Sequence, residues 1–429
     1  MTEFQVEVDQ NEYLSDGAST VDAIATVTST GQASTGVAPR AAEIIVIDRS
    51  GSMEYPPTKI KAAKEATRAA IDALRDGTLF AVIAGSSSAQ IVYPRVRGLV
   101  PANATTRDEA KKAVQGVKPG GGTAIGSWLT LARELFLPHT DAIRHVILLT
   151  DGKNESEPAV DLQHALDACA GVFVCDARGI GTNWVVDELR RITTALLGSF
   201  DIVADPAHLK DDFRALMTHA MGKAHGDIRL RLWTPRGATV KFVKLVAPEV
   251  RDLTGGRIDV SAQIGDYPTG SWGSERRDYH VCVEIAPGAV GEEILAGRIR
   301  LVEVAADGTE QILGQGLVRA VWTDDLVLST RLHPSVAHYT GQAELADAIQ
   351  EGLEARRAGD TDTATSKLGK AVKLAAETGN EATSKLLKKV VDVLDADTGT
   401  VKLKPKVSAE DEMTLDVGST RTVRTNKKN

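Results

Sequence analysis

The sequence predicts a doubly wound α/β domain set into an antiparallel β-sandwich and followed by a helical segment. Three observations predict it. Between residues 41 and 223, apolar runs alternate with helical spacings, the pattern of a largely parallel sheet covered on both faces. On either side of that region the apolar period drops to two, as in strands with one face in water. From Gln342 the helical period returns. The 429 residues suffice for several domains.

Residues 1–35 carry two alternating runs, at 4–8 and 23–28, with Asp16-Gly17 as a turn signal between them. Two strands cannot bury a core alone. They are therefore expected to pair with later strands of the sandwich, which makes the α/β domain an insertion. Residues 29–40 are rich in Ser, Thr, Gly and Pro and read as a linker.

In the α/β domain, strands are expected at 44–47, 78–83, 89–92, 145–150, 172–175 and 200–203. Helices are expected at 59–74, 107–117, 123–137, 162–170, 185–197 and 209–221. Right-handed crossovers follow from this order, and ligands of such folds lie at the carboxyl ends of the strands. The sandwich, 226–330, shows alternation at 228–233, 240–245, 257–262, 279–285, 299–304 and 318–322. The helical segment, 340–396, divides into 345–358, 361–377 and 381–394 at Gly359-Asp360 and Gly379-Asn380. Ala355, Ala358, Gly359 and Asp360 followed by Ala364, Leu368 and Ala371 resemble a tetratricopeptide (TPR) hairpin, with a plain helical bundle as the alternative. Residues 401–429 have few apolar residues and no period, and are expected to be disordered.

Composition excludes several classes. Aromatics make up 4% of residues, too few for base-stacking platforms. A net charge of -8 argues against nucleic acid and anionic membranes as partners. The N-terminus lacks the basic and apolar segments of a secretory signal, and no apolar run reaches the ~18 residues of a membrane span. Cys169, Cys175 and Cys282 show no metal-type spacing and read as reduced, buried thiols. A cytoplasmic location is expected.

The candidate site starts from Asp48-Arg49-Ser50-Gly51-Ser52, which follows the apolar run Ile44-Ile45-Val46-Ile47. A strand ending this way brings one carboxylate and two hydroxyls to a sheet edge. These are hard oxygen donors, suited to Mg²⁺, Mn²⁺ or Ca²⁺; the bland alternative is a helix-capping turn. Gly120-Gly121-Gly122-Thr123 enters a helix, so that the Thr123 hydroxyl can reach the same edge. A phosphate loop is the rival reading, but Walker spacing is absent. Leu148-Leu149-Thr150-Asp151 ends a second buried strand in a carboxylate.

Asp48, Ser50, Ser52, Thr123 and Asp151 match in order and spacing the five positions of the metal-ion-dependent adhesion site (MIDAS) of von Willebrand factor type A (VWA) domains. The resemblance covers residues 41–223 and implies a Rossmann-like fold. It implies that Ser50, Ser52 and Thr123 coordinate the ion by hydroxyls, and that Asp48 and Asp151 bind it directly or through water. A sixth position would stay open for an Asp or Glu carboxylate of a protein partner. Octahedral oxygen ligation favours Mg²⁺, with Mn²⁺ or Ca²⁺ as alternates.

The resulting expectation is a non-enzymatic interaction module or scaffold. A metal-dependent hydrolase is an alternative, but needs a general base or a second metal. His139, His145 and His164 are not obviously placed for that role, and Lys153, Asn154 and Glu155 are expected at the rim. An adaptor for a MoxR-type AAA+ ATPase is another alternative. The tail resembles that of cytosolic actinobacterial VWA proteins. Thr414, preceded by Glu410, Asp411 and Glu412 and followed by Val417, is similar to sites of bacterial Pkn-type Ser/Thr kinases. Thr420, Thr422 and Thr425 are further phosphorylation candidates. A phosphothreonine there would suit a forkhead-associated (FHA) domain in a signalling role.

Overall fold

The computed structural model describes residues 4–30, 39–305 and 307–424. The chain opens with β1 (Phe4–Gln10), β2 (Tyr13–Ser15) and β3 (Thr20–Thr30), then enters the α/β domain. There, β4 (Ala41–Asp48), α1 (Thr58–Ala73), β5 (Leu79–Gly85), β6 (Ala89–Tyr93), β7 (Val100–Pro101), α2 (Ala104–Gln115) and α3 (Ile125–Phe136) come first. They are followed by β8 (Ile143–Thr150), α4 (Ala159–Cys169), β9 (Val174–Ile180), α5 (Val186–Ala195), β10 (Phe200–Val203) and α6 (Leu209–Met221). The sheet order is β10-β9-β8-β4-β5-β6, with β7 also on β5. β4 is central and parallel to β5 and β8; β6 and β7 run antiparallel at the edge.

All eight residues of β4 are buried because helices cover both faces. Ile45 and Ile47 pack with Ala63, Ala66 and Ala70 of α1 and Phe213 of α6. Ile44 and Val46 pack on the other side with Trp128 and Leu129 of α3 and Leu189 of α5. Small residues along α1 allow the helix to lie close on the sheet, which its alanine-rich stripe predicts.

The chain then builds β11 (His225–Trp233), β12 (Thr239–Ala247), β13 (Arg251–Asp252), β14 (Ile258–Ser261), β15 (Ile264–Trp272), β16 (Ser274–Glu284), β17 (Glu293–Val304) and β18 (Glu310–Thr323). Two sheets result, β1-β3-β16-β12-β13 and β14-β15-β11-β17-β18-β2. β3 pairs antiparallel with β16 from Thr20↔Glu284 to Thr30↔Ser274. The α/β domain is therefore inserted between strands of one sandwich. Both chain crossings meet at Ile143: Ala41 is its cross-strand neighbour, its amide donates to the Arg40 carbonyl at 2.8 Å, and Gly226 packs against its side chain. β15 departs from the alternation expected of such strands. It contains Pro268, and Gly270 at φ +77° lies within a register irregularity against β11.

The C-terminal part comprises α7 (Leu326–Ser329), α8 (Pro334–Arg357), α9 (Thr361–Glu377), α10 (Glu381–Val390), β19 (Val391–Asp395), β20 (Thr400–Leu403) and α11 (Ala409–Gly418). Asp360 and Asn380 cap α9 and α10. Two expectations are corrected here. The helix expected over 381–394 stops at Val390, and the chain turns into the β19–β20 hairpin. The stretch expected to be disordered, 401–429, contains ordered elements over its described part. Ser408 accepts the Asp411 amide at 3.0 Å and starts α11. Leu415 enters the core of α8–α10, and Val417 enters the core beneath α3–α5. Asp416, 2% exposed, pairs with Arg190 of α5 at 2.6 Å and with Arg357 of α8. Its anchors are ionic as well as apolar, which is why apolar content misjudges it.

Candidate metal centre

β4 and β8 are adjacent and parallel, so their carboxyl ends lie side by side. Asp48 closes β4 and Asp151 follows β8; both are fully buried. The loop after β4 turns back at once because the Ser50 amide donates to Asp48 Oδ1 at 2.7 Å. Thr150 Oγ1 donates to Asp48 Oδ2 at 2.7 Å and ties the two strand ends together. Burial pushes the Asp48 carboxyl up to about 6, against the hydrogen bonds from Ser50 and Thr150 and with the Asp151 charge adding to the rise.

Ser50 Oγ and Ser52 Oγ are 2.9 Å apart, and Ser52 Oγ donates to Asp151 Oδ1 at 2.6 Å. The glycine loop before α3 is pinned over this cluster. The Gly51 amide donates to the Gly121 carbonyl at 2.8 Å and the Gly120 amide to the Arg49 carbonyl at 2.7 Å. Gly121 has φ +88°, and a Cβ there would lie 3.3 Å from Ser86 and Ser87. Thr123 is thereby buried at the helix entrance, 4% exposed. A Cβ on Gly152 would lie 3.2 Å from Thr123 Oγ1 and 3.4 Å from Ser52 Oγ, so both hydroxyls flank the Gly152 backbone. The structure thus brings Asp48, Ser50, Ser52, Thr123 and Asp151 together. Three hydroxyls and two carboxylates around one point are the donor chemistry of a hard divalent cation. No group of three or more His, Cys, Asp or Glu side chains suited to a metal occurs among the described residues.

Two participants escape the sequence. Lys59, 7% exposed in the first turn of α1, places Nζ 2.6 Å from Asp151 Oδ2. A lysine opening a helix reads as solvated, and nothing in the spacing points it inward. Thr150 belongs to the buried run of β8, so its hydroxyl passes for a strand residue. Asn154, expected at the rim, instead accepts the Ile125 amide at 2.6 Å, and Glu157 accepts the Gly126 amide at 2.6 Å; both cap α3.

His145 lies at the far end of the sheet, 5% exposed, between Glu43 at 2.8 Å and Asp176 at 3.0 Å. His139 follows α3 at that same end, and His164 is exposed on α4. None is beside the cluster. Cavities of about 340 and 720 Å³ lie between the α/β domain and the sandwich, and neither is lined by a residue of the cluster.

The phosphorylation candidates are placed in folded surroundings. Thr414 is half-buried in α11. The Thr420 carbonyl accepts the Val250 amide at 2.7 Å, and Thr422 Oγ1 donates to the Val246 carbonyl at 2.7 Å. Thr425 lies outside the described residues. No helix among the described residues is long and apolar enough to cross a membrane.

Residues 42–202 match the family described as von Willebrand factor type A domain, and residues 373–419 match von Willebrand factor type A C-terminal domain. The second match includes α11. A solved von Willebrand factor type A structure from Catenulispora acidiphila is 50% identical, with TM-score 0.94 over 99% of this chain and 98% of that one. The ArnB paralogue VWA2 from Sulfolobus acidocaldarius shares the fold at 14% identity, with TM-score 0.61 over 98% of this chain and all of that one. An uncharacterised Synechocystis protein is 32% identical over 218 residues, 49% of each chain, so this chain spans about half the length of that curated relative. The chain belongs to the von Willebrand factor type A family, a family of metal-dependent protein–protein interaction.

Proposed function

We propose that the protein is an interaction module or scaffold that holds a divalent cation, Mg²⁺ first, at Asp48, Ser50, Ser52, Thr123 and Asp151. The ion is offered to an Asp or Glu carboxylate of a protein partner. The observation that carries this reading is the convergence of three hydroxyls and two carboxylates at the ends of β4, β8 and the glycine loop. The three hydroxyls are neutral, so a bound ion keeps charge for an incoming carboxylate. The chain's own part is positional: Thr150 and the Ser50 amide hold Asp48, and Gly121 and Gly51 hold the loop carrying Thr123.

The hydrolase alternative lacks support, since His139, His145 and His164 are all away from the cluster. No observation favours an ATPase partner. The Ser/Thr-kinase and FHA part of the reading loses its flexible substrate at Thr414, Thr420 and Thr422. It would require the C-terminal segment to leave its seat before modification, and phosphosite mapping of native against unfolded protein tests this. A cytoplasmic setting is supported by three buried, unpaired thiols.

The central test is Mn²⁺ binding followed by paramagnetic resonance, together with partner capture with and without chelator. Asp48→Ala should weaken Mn²⁺ binding by at least about tenfold and abolish chelator-sensitive capture while the protein still melts cooperatively. Equal Mn²⁺ binding in both proteins would sink the reading.

A further inference from the structure

We propose that Lys59 sets the charge of the loaded metal centre so that it requires a carboxylate partner. This rests on the metal-binding reading above. Asp151 divides its two oxygens: Oδ1 faces the hydroxyl cluster through Ser52 Oγ at 2.6 Å, while Oδ2 takes the Lys59 ammonium at 2.6 Å. Lys59 therefore occupies the outer side of Asp151 and leaves the inner side to the ion.

Its position is built in. The Lys59 amide donates to the Pro56 carbonyl at 2.9 Å, and its Cε lies 3.9 Å from where a Cβ on Gly181 would be. The side chain thus runs beneath the end of β9 instead of out to water. Burying an ammonium is costly, and α1 is already seated by Ala63, Ala66, Ala70 and Ile71. Packing of α1 therefore does not call for a lysine at this place.

The charge count gives the consequence. Asp48 and Asp151 supply two negative charges, and among the described residues Lys59 is the one charged side chain hydrogen-bonded to either of them. Nearby Glu157 is taken up by the amides of Gly126 and Ser127 at the α3 entrance. A divalent ion against two carboxylates alone would give a neutral site. With Lys59 the loaded site carries one positive charge, and a carboxylate in the open position restores neutrality. In a buried site such a unit imbalance is strongly felt. Lys59 therefore lowers affinity for the ion itself and raises affinity of the loaded site for a carboxylate. It discriminates against neutral and cationic groups. Lys59 is a positioning and specificity residue, acting through Asp151.

The test compares wild type with Lys59→Gln, which keeps a hydrogen-bond donor without charge, and Lys59→Arg, which keeps the charge. Mn²⁺ affinity is read by paramagnetic resonance of free ion, and acetate binding by proton relaxation of water on bound Mn²⁺. For Lys59→Gln, Mn²⁺ should bind about tenfold tighter, as a unit charge at this range shifts a neighbouring equilibrium. Acetate should bind at least about fivefold more weakly to the loaded variant. Lys59→Arg should restore both values toward wild type. Unchanged Mn²⁺ affinity, or tighter Mn²⁺ with unchanged acetate affinity, overturns the proposal. Should Lys59→Gln melt without cooperativity, Lys59→Met is measured by the same two readouts and the same criteria. Wild type that fails to bind Mn²⁺ would instead overturn the metal-binding reading.

Discussion

Gly85 and Trp128 show how tightly single positions support the loops around the site. A Cβ at Gly85 would fall 2.3 Å from the Trp128 ring, whose Nε1 donates to the Ser86 carbonyl at 2.7 Å. Gly85→Ala should lower stability by about 2 kcal/mol through overpacking, seen as a lower midpoint in denaturant. Residues of the cluster were legible because each stands at the end of an apolar run or the start of a helix. Asp48, Ser50, Ser52, Thr123 and Asp151 are fixed by chain position plus sheet order. Lys59 was not legible, since its burial depends on how α1 meets the end of β9, a tertiary fact absent from local spacing.

Across β4, β8 and β9 the elements are linked by a charged trio at the end away from the site. Burial works against the His145 imidazolium, but Glu43 and Asp176 outweigh it and raise its pKa to about 10. Burial would raise Asp176, yet His145 and Arg178 hold it well below the usual carboxylate range, while burial keeps Glu43 above its usual value. A raised histidine stabilises the fold fully below its unfolded value of 6.5 and loses that contribution as pH climbs toward about 10. A depressed aspartate contributes above 3.8 and loses its contribution on further acidification. Melting temperature should therefore fall between pH 6.5 and 10 in the wild type. His145→Gln should cost about 3 kcal/mol at pH 6 and flatten that alkaline fall; an unchanged slope in calorimetry would refute the assignment. β4, β5 and β8 were easy to place because apolar runs mark them, whereas β9, expected at 172–175, runs Val174–Ile180 because Asp176 and Arg178 interrupt its apolar run. No strand was expected over β15, because Pro268 and Gly270 interrupt its alternation where it bends against β11.

At the scale of the whole molecule, the C-terminal segment fastens three bodies to one another. Asp416 joins α5 to α8, Thr422 is bonded to β12, and His338 Nε2 lies 2.7 Å from the Val423 carbonyl. Asp416→Ala should lower stability by about 2 kcal/mol and expose residues 404–424 to hydrogen exchange or protease while leaving Mn²⁺ affinity unchanged. Its start rests on Ser408, which accepts the Asp411 amide, a local cap that the expectation of disorder passed over, and its docking depends on Arg190 and Arg357, 226 and 59 residues away.

The meeting of both chain crossings at Ile143 also has a mechanical meaning. β4 and β8 each run from that foot to the cluster, a span of about 25 Å at the rise of parallel strands. Tension from a partner held at the tip would pass along β4 to its covalent link at Arg40, while the share borne by β8 would cross to β4 through the ladder between them. The ladder between them would then be loaded in shear, with its hydrogen bonds sharing the force, instead of being peeled open one bond at a time.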